Sequence, residues 1–158
     1  MHDYFQKELG VQVYHHPEER MFYSKNFYLA HGDGLGPGDH KYKFLKKVFR
    51  NKISQYLFGF LHPYAGIGLA NYFSTKSREV SGGEEEIFLG EDKEWLIIFC
   101  KEMLKQKHFD YFIFGHRHLP MDLKLTEASH YINLGDWITH FSYAVFDGEL
   151  LELKYYKP

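Results

Sequence analysis

Two apolar runs in this chain end in the same way. FYLAH (27–31) and YFIFGH (111–116) each read as a short buried strand that stops at a histidine beside a glycine. Such strands need covering layers, and the remainder of the chain supplies them. Further strand-like runs are VQVY (11–14), RMFYS (20–24), HYINLG (130–135), YAVFD (143–147) and LLELKYY (150–156). DGE at 147–149 predicts a tight turn, so the last two runs form a hairpin. Helical periodicity marks 41–61, a shorter stretch at 65–73, and 90–107, where Glu91 and Asp92 suit a first turn. The Gly-rich, acidic stretch REVSGGEEE (78–86) reads as a loop. Strands alternating with helices before a closing hairpin predict an α/β or α+β layered fold in one domain, with no internal repeat.

Composition narrows the class. A chain of 158 residues that is 44% hydrophobic and 19% aromatic can bury a real core, which argues against disorder. One cysteine, Cys100, rules out an intramolecular disulfide and suits a reducing compartment. No apolar run approaches membrane-spanning length, and MHDYFQKELG does not read as a secretory leader. The formal net charge of -2 conceals an asymmetry. Residues 41–78 hold eight Lys or Arg and no acid, leaving 11 basic against 21 acidic residues elsewhere. That segment is suited to an anionic partner.

The histidines carry the chemistry. In FIFGHRHLP (112–120), alternation along an extended segment points His116 and His118 to one side and turns Arg117 away. Two imidazoles on one side can hold one ion or two adjacent ions, although two polar loop residues would look the same. YLAHGDGLGPGD (28–39) repeats the arrangement, with a strand running into His31 and then Gly32, Asp33, Gly34, Gly36 and Gly38. Glycines there permit close backbone approach to a ligand, and strand ends are where open α/β sheets place chemistry. There is no Walker GxxxxGK[ST] motif. Two histidine-bearing strand ends in one small domain favour a metal site.

HGD followed far downstream by GHRH resembles the closing motifs of calcineurin-like metallophosphoesterases. In more detail, HGDGLGPGDHKYKFLKKVF, STKSRE, FIFGHRHLP and YINLGDWITHFSYAVFDG are similar to UDP-2,3-diacylglucosamine hydrolases of lipid A synthesis. The resemblance runs over nearly the whole chain. That family's earlier motifs (Asp-x-His, Gly-Asp and Gly-Asn-His-Asp) have no counterpart here, and His2 in MHDYF lies too near His31 to supply one. The resemblance therefore implies the C-terminal part of such an enzyme, a truncated metallophosphoesterase domain over 1–158. It implies part of a four-layer α/β sandwich with a helical lid inserted at about 40–78.

The resemblance also implies roles. His31 and His116 would bind one divalent ion and His118 its neighbour, with two ions in all, manganese first and zinc, iron or magnesium as alternatives. Asp33 would orient a ligand or its loop; Asp136 of LGDW reads first as an ordinary turn residue, with the same orienting role as the alternative. Asp39 and Tyr42 would approach the sugar of the substrate, and Lys76, Ser77 and Arg78 its phosphate. The remaining histidines, His15, His16, His40, His62, His108, His130 and His140, lie in no motif and read as surface or structural. Metal-dependent cleavage of the substrate pyrophosphate to acylated sugar phosphate and UMP is the implied reaction. The carboxylates absent from the motifs imply incomplete metal binding and little activity in this chain alone.

The basic segment reads as a membrane-surface helix or a cap over lipid, since its apolar side is rich in Phe, Leu and Tyr and its polar side carries only positive charge. The expected partners are a lipid-linked nucleotide sugar and an anionic membrane surface, with an oligomer possible. The expected location is the cytoplasmic side of the inner membrane. A nucleic-acid module lacks any matching motif. Two other readings stay open: a metallophosphoesterase for another phosphodiester, and a non-catalytic remnant that binds metal or membrane.

Overall fold

The computed structural model describes residues 2–35, 44, 47–81 and 87–157, and the side chains of 2–3 and 76–81 fall outside that description. A five-stranded mixed sheet forms the centre, in the order β1 (Glu18–Phe22), β2 (Lys25–Ala30), β3 (Tyr111–Phe114), β5 (Ser129–Leu134), β4 (Pro120–Thr126). β2, β3 and β5 run parallel, while β1 and β4 close the two edges antiparallel. A separate antiparallel hairpin, β6 (Ser142–Phe146) with β7 (Leu151–Tyr155), follows the DGE turn as expected. Four helices are described: α1 (His2–Glu8), α2 (Lys52–Gly59), α3 (Pro63–Ser81) and α4 (Trp95–Leu104).

The three parallel strands are apolar on both faces because both faces are covered. Tyr28, Phe112, Phe114 and Tyr131 point to one side and meet Leu96, Ile97 and Cys100 of α4. Phe27, Tyr111 and Ile132 point to the other and meet Leu151, Ala144 and Phe146 of the hairpin. Burial raises the Tyr28 hydroxyl pKa to about 12 and pushes the Cys100 thiol well above its ordinary value, so neither ionises near neutrality. Helix, sheet and hairpin thus stack as three layers.

Several elements depart from the sequence expectations. The run at 11–14 forms no strand; Gly10 turns the chain at φ 63, and the Val11 amide bonds the carbonyl of Phe5 instead of a ladder. The continuous helix expected at 41–61 is interrupted. Residues 47–50 are helical, and Asn51 then caps a new helix by accepting from the amides of Ile53 (2.8 Å) and Ser54 (3.3 Å). Within 41–46 only residue 44 is described. α3 runs well beyond 65–73 and takes the first part of the expected loop at 78–86, of which 82–86 lie outside the described residues. α4 is shorter than 90–107: Glu91 and Asp92 precede it, and Glu94 stands at its N-cap. β4 went unrecognised although PMDLKLT alternates. One face of this edge strand packs Met121, Leu123 and Leu125 on the core.

Candidate metal site at the carboxyl end of the sheet

Because β2 and β3 are parallel and Ala30 pairs with Phe114, the two histidine segments leave the sheet at the same end. His31 directly follows β2, and Gly115 bonds through its amide to the His31 carbonyl at 3.1 Å. The His31 and His116 rings meet edge to face, with centroids 5.4 Å apart and planes 79° apart. Two imidazoles on one ion, each through a bond of about 2.0–2.1 Å, have ring centres roughly 5–6 Å apart. The observed pair fits that spacing.

Two glycines allow the approach. A Cβ at Gly115 would lie 3.3 Å from Nδ1 of His31, which would crowd the ring. Gly32 sits at φ 108, and a Cβ there would meet Leu96 Cδ1 at 3.2 Å and His116 Cβ at 3.4 Å. Thus the glycine of HGD lets the β2 loop rest against both α4 and the second histidine.

The bend after β3 is not extended. His116 takes φ 60, a left-handed conformation that costs an L-residue about 1–2 kcal/mol, and residues 116–119 form a bend. Alternation therefore does not govern side-chain direction here, and Arg117 is directed into the interior instead of simply away from the histidines. It is 7% exposed and pairs with Glu94, itself 1% exposed, at 3.0 Å. Arg117 Nη2 also donates to the Ile87 carbonyl at 2.7 Å, and the Leu89 amide donates to Glu94 Oε1 at 3.1 Å. On the other side, buried Asn133 of β5 donates to the Gly115 carbonyl at 2.6 Å and accepts from the Gly135 amide at 3.0 Å. His116 additionally rests against the Trp95 ring, with centroids 5.7 Å apart.

His118 is exposed on the same bend. Among the described residues no group of three or more His, Cys, Asp or Glu converges closely enough to hold a metal ion. The structure therefore brings His31 and His116 together and leaves His118 outside the preformed pair. Asp33 is half-buried in the loop after His31 and lines a cleft of about 400 Å³ with His31, His15, His16 and Arg50. Asp39 and Tyr42 lie outside the described residues, as do the side chains of Lys76, Ser77 and Arg78 on α3. Asp136 is a turn residue, as expected: it accepts from the Ile138 amide at 2.7 Å and pairs with His140 Nδ1 at 2.8 Å. The amide bond from Thr139 and the bond from His140 hold its carboxyl far below the ordinary range.

His15 and His16 are the residues that motif reading passed over. β1 pairs with β2 so that Glu18 lies opposite Leu29 and Glu19 opposite Tyr28. Two residues before β1, His16 shares with His31 a second cleft of about 760 Å³ that Glu18, Arg20 and Gly115 also line. The signal was available only through the hairpin register, not through any local motif.

No family model matches this sequence. Among curated proteins, the UDP-2,3-diacylglucosamine hydrolase of Porphyromonas gingivalis is 38% identical over 166 aligned positions, which cover 96% of this chain and 63% of that protein. The UDP-2,3-diacylglucosamine hydrolases of Shewanella sp. and Shewanella putrefaciens are each 26% identical over 133 positions, covering 84% of this chain and 54% of theirs. The chain thus spans less than two thirds of the length of the relatives it matches. Over nearly its whole extent the chain is similar to UDP-2,3-diacylglucosamine hydrolases, the enzymes that its longer segments HGDGLGPGDHKYKFLKKVF, STKSRE, FIFGHRHLP and YINLGDWITHFSYAVFDG resemble.

Proposed function

We propose that this chain forms the histidine half of a di-metal phosphohydrolase site acting on the pyrophosphate of UDP-2,3-diacylglucosamine, in lipid A synthesis. The observation that carries the proposal is the His31–His116 pair, held 5.4 Å apart where two parallel strands end. The donor set suits the group: histidine nitrogens completed by carboxylate oxygens suit manganese, zinc, iron or cobalt better than calcium. His31 and His116 would hold one ion and His118 a second, while Asp33 orients the loop behind His31. When bound, two divalent ions supply a water of lowered pKa and neutralise charge developing on the phosphoryl group.

The chain's own residues do the positioning. Gly32 and Gly115 let the two rings close on each other, and Asn133 fixes the carbonyl preceding His116. Three neutral imidazoles do not compensate two dications, so a complete site needs carboxylates besides them. Residues 1–158 alone should bind metal weakly and turn over little substrate.

The substrate reading rests on the names of the relatives and on the helical segment. No residue of α2 is buried, and Ile53, Tyr56, Leu57 and Phe60 are all exposed on it or beside it. Exposed apolar side chains over a basic segment support a lid for acyl chains, inserted at about 40–78 in a single domain and set against an anionic membrane surface. Asp39, Tyr42, Lys76, Ser77 and Arg78 would then bind the sugar and phosphate. No helix among the described residues is long and apolar enough to cross a membrane. The helix, sheet and hairpin layers support membership of a four-layer metallophosphoesterase sandwich.

The test is metal binding by the wild-type chain and by the His31→Ala and His116→Ala variants, together with UMP release from UDP-2,3-diacylglucosamine. Weak Mn²⁺ or Zn²⁺ binding that disappears in both variants, with little turnover, is the expected result. Rapid turnover by residues 1–158, or binding indifferent to both substitutions, would place the chemistry elsewhere.

A further inference from the structure

Resting on that metal reading, we propose that Arg117 is a positioning residue. Through Glu94 it fastens the histidine bend to the chain's return from the helical insertion, so the geometry of the metal ligands depends on a buried ion pair beside them. Arg117 lies between the two histidines of GHRH, yet it is buried and directed into the protein. Its Nη2 meets Glu94 Oε1 at 3.0 Å and the Ile87 carbonyl at 2.7 Å, and the same Glu94 oxygen accepts the Leu89 amide at 3.1 Å. Three separate segments therefore converge on one ion pair: the bend 116–119, the return segment 87–89, and the start of α4.

Stability alone does not explain this arrangement. Well-packed apolar residues stabilise an interior as well as a buried ion pair does, and often better. A guanidinium instead offers directional donors in a fixed plane, which sets orientation. Glu94 gives the same indication. It occupies the N-cap of α4, where Ser, Asp or Asn would bond the first amides, and makes no capping bond. Its carboxylate is directed to Arg117 and Leu89 instead. With Arg117 pinned inward and His116 at φ 60, the His116 ring is confined between Trp95, adjacent to Glu94 in sequence, and His31. Loss of the pair would free the bend to relax its left-handed residue and separate the two rings.

The decisive comparison uses the full chain, its double variant Arg117→Met with Glu94→Met, and the single variant Arg117→Lys. The double variant leaves no uncompensated charge and keeps comparable volume. Two readouts are taken: Zn²⁺ affinity from the imidazole signals of His31 and His116, and exchange of the Gly115 and Arg117 amides. A supporting partner of a metal ligand is expected to change affinity by about 10–100-fold. The double variant should melt close to the wild type, lose that much affinity, and exchange both amides at least about tenfold faster. Arg117→Lys keeps the charge but not the fork, and should fall between them. Wild-type affinity and exchange in the folded double variant would overturn the proposal. If the double variant does not fold, the same comparison is made with Arg117→Lys and Glu94→Gln, and unchanged readouts in both overturn it. If the wild type shows no Zn²⁺ effect at either ring, the metal reading fails separately, and amide exchange still decides whether Arg117 holds the bend.

Discussion

The sheet end and the helical segment 52–81 of this protein differ in how they use apolar and charged residues. At the sheet end, apolar side chains are sealed between strands and α4, and three polar side chains that enter are held by directed bonds: Arg117 and Glu94 by each other, the neutral Asn133 amide by the Gly115 carbonyl. In α2 no residue is buried, and along α3 large side chains such as Tyr64 and Ile67 stand in solvent, 84% and 62% exposed. One region is built for fixed geometry. The other leaves its large apolar side chains exposed.

The comparison predicts unequal responses to the same truncation. Phe112→Ala, at a fully buried position in β3, should cost about 3–5 kcal/mol. Phe60→Ala, at a residue 70% exposed, should stay within about 0.5 kcal/mol. Denaturant unfolding of both variants measures this, and equal losses would mean that the helical segment packs on the core in solution.

Arg117→Ala comes next. Removing one partner of a buried pair leaves Glu94 uncompensated and should destabilise by about 3–5 kcal/mol. Thermal unfolding should show Arg117→Ala to be markedly less stable than the Arg117→Met, Glu94→Met pair. A single variant as stable as the wild type would mean that water reaches Glu94.

What was legible in the sequence follows the same division. FYLA and YFIF were readable because parallel strands covered on both faces are apolar throughout, and a histidine after such a run stands at a strand end. The inward turn of Arg117 was not readable. Its partner Glu94 lies 23 positions away, and the left-handed His116 cancels the alternation that an extended segment would impose. Nor was the nearness of His16 to His31, which depends on the two-residue turn that sets the β1–β2 register. The long helix at 41–61 failed locally: a periodic apolar pattern persists through Asn51, but the asparagine side chain satisfies the next amides and starts a second helix.

For the basic segment, charge reversal of Lys43, Lys46, Lys47 and Arg50 to Glu should reduce sedimentation with anionic vesicles. Juxtamembrane basic residues contribute about 1 kcal/mol each. Wild-type binding should weaken as salt rises, because the screening length is about 8 Å at physiological ionic strength. Equal binding by both proteins would reduce the segment to an ordinary solvated surface.

The smallest effect concerns acid. Burial raises the Asp110 carboxyl, but the Asn26 amide and Lys25 outweigh it and bring the net shift below the ordinary value, and Asp136 is lowered by the Thr139 amide and His140. A lowered folded-state pKa contributes stability that is present above the unfolded value of about 3.9 and lost as pH falls through the folded one. These two groups should therefore contribute no pH dependence between neutrality and about pH 5, and a loss only below about pH 4. Asp110→Asn should flatten the acid limb of a stability–pH curve. An unchanged limb would remove Asp110 from the account.

The central claim is that His31 and His116 share one ion, and diffraction from a crystal soaked in Mn²⁺ and recorded with anomalous signal tests it most directly. The account predicts a peak between the two rings, bonded to one nitrogen of each, with His118 the nearest candidate for any second peak. A metal bound at His15 and His16 with no density between His31 and His116 would contradict it.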